Sequence, residues 1–261
     1  MIKDYLDVEL KIAGTKDVSL VDVIGFPSFS VWFAYCNFRC PWCQNWPIVV
    51  GKNVITVKVR DLLEEIDKNA LLINYVHVTG GEPTVQATGL EALFKAIKRE
   101  LQLKTSLNTN GYNWKVIDQL LKHKLVDHIA MDIKAPFSRP DLYAKIIGLD
   151  SGEIVTEYVK TTVKLALKNI SFTEFRTTLM PLLNMDDLIR IGTELIELGC
   201  NEGCYYVIQQ FIPNPNAPDP QYKSGNIIPA SKLINIAQRV KLETGLTNVY
   251  VRSMEEGVTM I

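Results

Sequence analysis

Histidine is scarce in this chain: His77, His123 and His128 are the three that occur among 261 residues. No Ser-His-Asp arrangement and no histidine-rich metal site can be drawn from imidazoles so scattered. Net charge is lacking too, at a formal -1, whereas nucleic-acid binding ordinarily shows a basic excess or stripe. No apolar run reaches membrane-spanning length, and the start Met1-Ile2-Lys3-Asp4-Tyr5 lacks a signal peptide's hydrophobic core. The expectation is a cytoplasmic protein with neither nucleic acid nor membrane as partner. Cysteine is also sparse, with five in all, but three of them fall within eight residues: Cys36-Asn37-Phe38-Arg39-Cys40-Pro41-Trp42-Cys43.

These three follow the apolar run Phe29 to Tyr35, and no fourth cysteine or histidine lies nearby. A closed structural zinc site takes four protein ligands, whereas a four-iron cluster held by three thiolates leaves one iron open to an outside ligand. The competing readings are three reduced thiols packed near a turn, or half of a zinc site shared with another chain. Structural cysteines are usually scattered singly and not gathered on one polar, proline-containing loop, which favours the cluster. Three cysteines so close together do not make an ordinary disulfide framework, and a reducing compartment is the consistent setting. Cys200 and Cys204 end a predicted helix and open the next strand. They are too few for a second cluster and are read as small buried residues.

With 47% apolar and 22% charged residues, the chain can bury the core of one α/β domain. Strand-like runs are Phe29 to Tyr35, Tyr75 to Thr79, Thr105 to Thr109, His128 to Lys134, Thr173 to Leu179, Tyr205 to Phe211 and Asn248 to Arg252. Amphipathic stretches alternate with them: Val57 to Asn69, Leu90 to Leu101, Val116 to Leu121, Ile154 to Leu167, Leu188 to Leu198 and Leu233 to Leu242. Thr88 with Glu91 reads as a capping box. Six strand-helix repeats fall short of a closed barrel of eight, so the expected fold is α/β, an open partial (β/α)6 barrel. Residues 1–25 read as a short N-terminal extension, a strand or hairpin outside a core of residues 26–255. Pro213 to Pro229 carries five prolines and reads as a surface loop.

In parallel α/β folds, sites form at the carboxyl ends of strands. The second strand ends in Thr79-Gly80-Gly81-Glu82-Pro83-Thr84, where paired glycines let backbone approach a ligand and Glu82 can accept hydrogen bonds from an ammonium group. The third ends in Asn108-Thr109-Asn110-Gly111-Tyr112, which also suits a plain turn. On the fourth, Asp132 and Lys134 are two apart and face the same side among apolar neighbours, a costly placement without a ligand. On the fifth, Arg176 shares a face with Glu174 and Thr178; it can meet a carboxylate ligand or pair with Glu174. Gln209-Gln210-Phe211 can offer amides and an aromatic face to adenine. His77, inside a strand, reads as a packed residue.

CxxxCxxC with Trp42 before the last cysteine resembles the signature of the radical S-adenosylmethionine (SAM) superfamily, and Gly80-Gly81-Glu82 resembles its GGE motif. In order, CNFRCPWCQN, VTGGEPT, LNTNGY, MDIKAPF, EFRTTL and IQQF look like the activating proteins of anaerobic ribonucleoside-triphosphate reductase, archaeal-type branch, relatives of pyruvate formate-lyase activating enzyme. The resemblance runs over roughly residues 20 to 255. It implies a 4Fe-4S cluster on Cys36, Cys40 and Cys43, with SAM as second cofactor. SAM contacts fall to Trp42, Gly80, Gly81, Glu82, Asn110, Asp132, Lys134 and Arg176. It further implies a glycyl-radical enzyme as partner and a flavodoxin or ferredoxin-type electron donor. Asn108 departs from the aspartate that close relatives often carry near SAM, which puts a cation site there in doubt. The alternatives are a radical SAM enzyme acting on a small molecule, like 7-carboxy-7-deazaguanine synthase, and a non-catalytic zinc-binding module.

Overall fold

The computed structural model describes residues 4–261, so Met1-Ile2-Lys3 of the start read above lie outside the described residues. The chain divides into two compact units. The first takes the chain up to Asn37, Asn45–Thr109 and Lys115–Ala130; the second takes Phe38–Gln44, Asn110–Trp114 and Met131–Ile261.

In the first unit β1 (Glu9–Val23) pairs antiparallel with β2 (Phe26–Phe33) and, after the short helix α1 (Trp46–Val49), with the edge strand β3 (Ile55–Lys58). The N-terminal stretch thus forms a hairpin with β2. The helical reading from Val57 starts too early, because Ile55-Thr56-Val57 is a β-branched run suited to pairing beside β1; helix α2 is Val59–Asp67. β2 runs parallel to β4 (Tyr75–Gly80), and after α3 (Ala87–Ala96) β4 runs parallel to β5 (Lys104–Thr109). Helix α4 (Trp114–Lys122) then leads to β6 (His128–Asp132), whose approach is tied to β5 by Asp127 N–H donating to Thr105 O at 3.0 Å. The first five residues of β4, Tyr-Val-His-Val-Thr, are all buried, as an interior parallel strand covered on both faces requires. His77 belongs to that core: its Nδ1 lies 2.7 Å from Ser106 Oγ, which lies 2.7 Å from His128 Nδ1.

The capping box at Thr88 is not formed. Glu82 caps a 3-10 turn over Pro83–Gln86 that passes directly into α3, so Thr88 is already inside the helix and exposed. Glu91 instead meets Lys95 at 2.6 Å and His123 at 3.0 Å.

In the second unit helices α5 (Pro140–Ile147) and α6 (Glu153–Asn169) precede β7 (Thr173–Leu179). Helix α7 (Met185–Glu197), β8 (Cys204–Gln210), α8 (Ala230–Thr244), β9 (Asn248–Ser253) and β10 (Gly257–Met260) follow. β7, β8 and β9 pair parallel in that order, and β10 adds antiparallel to β9. Ile133 N–H donates to Arg176 O at 2.8 Å beyond the end of β6, which stops at Asp132 and not at Lys134. The strand order does not close on itself, so the fold is α/β with an open sheet and no closed barrel. Pro213–Pro229 is more than a surface loop: it holds a 3-10 turn, Pro220–Tyr222, and buries Ala217 and Tyr222.

Cys200 and Cys204 are buried as expected, but they are joined as a disulfide between the end of α7 and the start of β8. A cross-link over so short a loop restricts the unfolded chain by about 2 kcal/mol. Replacing both cysteines by serine is therefore expected to lower the unfolding free energy by about that amount in denaturant titrations without reductant. With excess reductant, wild type and variant are expected to coincide. Equal stabilities without reductant would show that the bridge contributes nothing.

Candidate active site

In the first unit, the Gly80-Gly81-Glu82 turn lies against the chain that runs into Cys36. Gly81 N–H donates to Phe33 O at 2.9 Å and Glu82 N–H to Tyr35 O at 2.8 Å. A Cβ on Gly80 would fall 2.2 Å from Phe33 O, and one on Gly81 would fall 1.9 Å from Tyr35 O. Both glycines are needed for this backbone-to-backbone approach to the chain that enters the cysteine loop. Tyr35 itself adopts φ 69°, a left-handed conformation uncommon for a bulky residue. It turns the chain out of β2 immediately before Cys36. At the other end of the loop, Asn45 Nδ2 donates to Gly80 O at 3.1 Å.

Glu82 is fully buried, and one carboxylate oxygen collects three donors: Thr84 N–H at 3.1 Å, Thr84 Oγ1 at 2.5 Å and Thr109 Oγ1 at 2.8 Å. A buried carboxylate is costly unless its oxygens are hydrogen-bonded, and such charge-assisted bonds fix its orientation. Thr84 and Thr109 were not singled out from the sequence. Thr84 sits two positions after the capping residue Glu82, where such a bond is local and legible. Thr109 comes from the end of β5, and no local pattern announces it.

In the second unit, Lys134 gathers the expected residues. Its Nζ lies 2.9 Å from Asp132 Oδ2 and 5.1 Å from the centre of the Trp42 ring, an ion pair and a cation–π contact. Trp42 Nε1–H donates to Ile146 O at 2.9 Å, and Arg39 N–H donates to Ile147 O at 2.9 Å. Those carbonyls belong to the last turn of α5, where a helix leaves acceptors without internal partners. Gly148, at φ 68°, ends the helix with a Cβ position only 2.1 Å from Arg39 O. The cysteine loop therefore caps a helix that the sequence reading did not anticipate. Phe211 lies 6.4 Å from the Trp42 ring and Tyr222 6.0 Å from Phe211, while Asp219 N–H donates to Pro41 O at 3.1 Å.

Burial pushes the Cys40 thiol up to about 11; Lys134 pulls it back, and Cys43 and Asp132 add to the rise. Burial works against the Lys134 ammonium, but Asp132 and Cys40 outweigh it and hold the group above the ordinary lysine range. Burial also raises the Tyr143 hydroxyl, against the pull of Lys134. Lys134 is thus a permanent cation beside a thiol that must lose its proton to ligate metal.

The remaining expected residues are committed within the protein. Arg176 is buried and donates from Nε and Nη2 to Glu174 Oε2, with Arg252 Nη2 4.0 Å from the same oxygen. Asn110 Oδ1 accepts Tyr112 N–H at 3.0 Å, closing a local turn. Asn108 Nδ2 donates to Thr79 Oγ1 at 2.9 Å. The suggested amide contact of Gln210 with adenine is corrected, because its amide bridges Ile228 O at 2.8 Å, Glu255 Oε2 at 2.9 Å and Met254 N–H at 2.8 Å.

Cys36, Cys40 and Cys43 are all partly buried thiols outside any disulfide. Among the described residues, no group of three histidine, cysteine, aspartate or glutamate side chains converges to hold one metal ion. A closed zinc site takes four protein ligands about one ion, and the loop brings three thiols. A cluster makes no such demand, because each thiolate ligates a different iron, and three soft donors on one loop fit it.

The model of the radical SAM superfamily matches residues 30–195. A candidate glycyl-radical enzyme activating enzyme of Methanocaldococcus jannaschii is 27% identical over 93% of this chain and 96% of its own. A candidate GTP 3',8-cyclase of Thermococcus kodakarensis is 32% identical, over 49% of this chain and 41% of its own. Among solved structures, a radical S-adenosylmethionine methyltransferase of Kitasatospora setae, with cobalamin and a 4Fe-4S cluster bound, superposes with a TM-score of 0.51. That match has 16% identity and covers 78% of this chain and 38% of the other; it concerns the fold alone.

Substituting Gly81→Ala must displace backbone at Tyr35 and is expected to cost about 3 kcal/mol in denaturant titrations. Gly203→Ala, whose Cβ would lie 3.5 Å from Ser171 O, is expected to stay within about 0.5 kcal/mol of wild type. Equal effects of the two would remove the argument for close packing under the cysteine loop.

Proposed function

We propose that this chain, which belongs to the radical SAM superfamily, is an activase that installs a glycyl radical on a partner enzyme. The observation that carries the reading is that the chain on either side of the cysteine loop, at Phe33, Tyr35 and Asn45, is hydrogen-bonded to the turn that carries Glu82. In this reading Cys36, Cys40 and Cys43 hold a 4Fe-4S cluster, and the vacancy left by a three-thiolate set is where SAM binds. Held by Cys36, Cys40 and Cys43, the cluster would supply the one electron, drawn from an outside donor, for reductive cleavage of SAM, and thereby the hydrogen-atom abstraction that makes a glycyl radical.

The chain's own residues bind and orient. Glu82, held by three donors, is assigned to the ammonium group of SAM, with the backbone of Gly80 and Gly81 beside it. Lys134 is assigned to the SAM carboxylate, and Asp132 keeps that ammonium charged and aimed. Trp42 provides the aromatic wall of the loop. Asn110 shapes the neighbouring turn, and Arg176, engaged with Glu174, shapes the face of β7.

Likeness over nearly the full length of an activase-type relative supports a protein substrate, whereas likeness to the cyclases stops at about half of either chain. The ordered motifs favour anaerobic ribonucleoside-triphosphate reductase as the partner, with a flavodoxin or ferredoxin as electron donor. The need for reduced loop thiols supports a cytoplasmic setting, and the buried Cys200–Cys204 disulfide runs against it. Among the described residues no helix is long and apolar enough to cross a membrane.

The reduced, iron-reconstituted protein, given SAM and a candidate glycyl-radical enzyme, is expected to produce a persistent glycine radical in the partner by electron paramagnetic resonance. Cys40→Ala is expected to abolish SAM cleavage with the circular dichroism spectrum unchanged. SAM cleavage without radical transfer to any such partner would favour a small-molecule substrate. Normal SAM cleavage by Cys40→Ala would remove the cluster assignment.

A further inference from the structure

We propose that Asn45 is a positioning residue that holds the outgoing end of the three-cysteine loop on the GGE turn, so that cluster loop and SAM-binding carboxylate share one support. The inference rests on the reading of Glu82 as a SAM contact and goes beyond it. Asn45 stands two residues after Cys43 and directly before α1. In that position asparagine is a common helix cap, yet its side chain makes no cap hydrogen bond. Its backbone carbonyl accepts Ile48 and Val49 N–H groups, both at 3.1 Å, while its side-chain Nδ2 is sent to Gly80 O.

The partner it chooses gives the bond its meaning. Gly80 O sits one residue before Gly81, whose N–H holds Phe33 O, and two before Glu82, whose N–H holds Tyr35 O. The incoming end of the loop is thus pinned by Gly81 and Glu82, and the outgoing end by Gly80. Of these bonds, only the one from Asn45 is made by a side chain, so it alone can be altered without touching the backbone. Its polarity is also diagnostic. A carbonyl needs a donor opposite it, and aspartate, the same size as asparagine, presents a second acceptor there.

The test compares Asn45→Asp and Asn45→Ala with wild type, each reconstituted and reduced. The readouts are the SAM dissociation constant, the change SAM makes in the cluster's paramagnetic resonance spectrum, iron content and thermal unfolding. Loss of one hydrogen bond is expected to weaken SAM binding about threefold to tenfold in Asn45→Ala. Asn45→Asp is expected to weaken it further, with both variants retaining iron. If Asn45 merely caps α1, aspartate, a good cap favoured at a helix N-terminus, would bind SAM as wild type does and exceed alanine; that order overturns the proposal. Should Asn45→Asp fail to fold, Asn45→Ala decides alone: unchanged SAM affinity overturns the proposal and weakened affinity upholds it. A wild-type cluster indifferent to SAM would remove the functional reading and this inference together, whereas a responsive wild type with unaltered variants would remove this inference alone.

Discussion

Two glycine backbones, Gly80 and Gly81, lie where no side chain fits, against the carbonyls of Phe33 and Tyr35, and the candidate site depends on that contact. The approach lets Gly81 and Glu82 N–H groups take the last carbonyls before Cys36 and leaves Gly80 O to receive Asn45. Buried backbone polar groups must find partners, and here they find each other across a gap that a methyl group would open. Glu82 is carried by the same turn, so its position follows from the same packing. In the second unit the loop finds another backbone partner, the terminal carbonyls of α5, which Arg39 and Trp42 satisfy.

The parts of this that were legible in the sequence are those written locally. The central strands Tyr75 to Thr79 and Thr173 to Leu179 are short apolar or β-branched runs bounded by turn residues, and they form nearly as read. The three cysteines, the GGE motif and the Asp132-Lys134 pair also announce themselves by spacing. Helix α5 escaped because its eight residues lie between Pro136 and Gly148, where punctuation reads as loop. β3 and β10, four residues each, owe their existence to the neighbours β1 and β9. The capping box at Thr88 failed because a stronger cap, Glu82, begins the turn earlier. Thr109 and Asn45 were invisible for a different reason: each acts on a partner 27 or 35 residues away, and only the fold creates the pair.

Electrostatics separates the tasks of the two units. In the first, Glu82 is held as an acceptor by neutral donors from two threonines and a backbone amide. In the second, Lys134 is a cation kept charged by Asp132 against the cost of burial, beside the Cys40 thiol whose deprotonation it eases. Arg176 and Glu174, in contrast, already satisfy each other. A buried, hydrogen-bonded ion pair of that kind is costly to break.

In the proposed reading a loop of three thiolates holds four irons and leaves one of them to SAM. Mössbauer spectroscopy of protein reconstituted with enriched iron tests it most directly. Adding SAM is expected to alter one iron site in four and to leave the remaining three as they were. Four iron sites that respond alike, or that show no response, would contradict it.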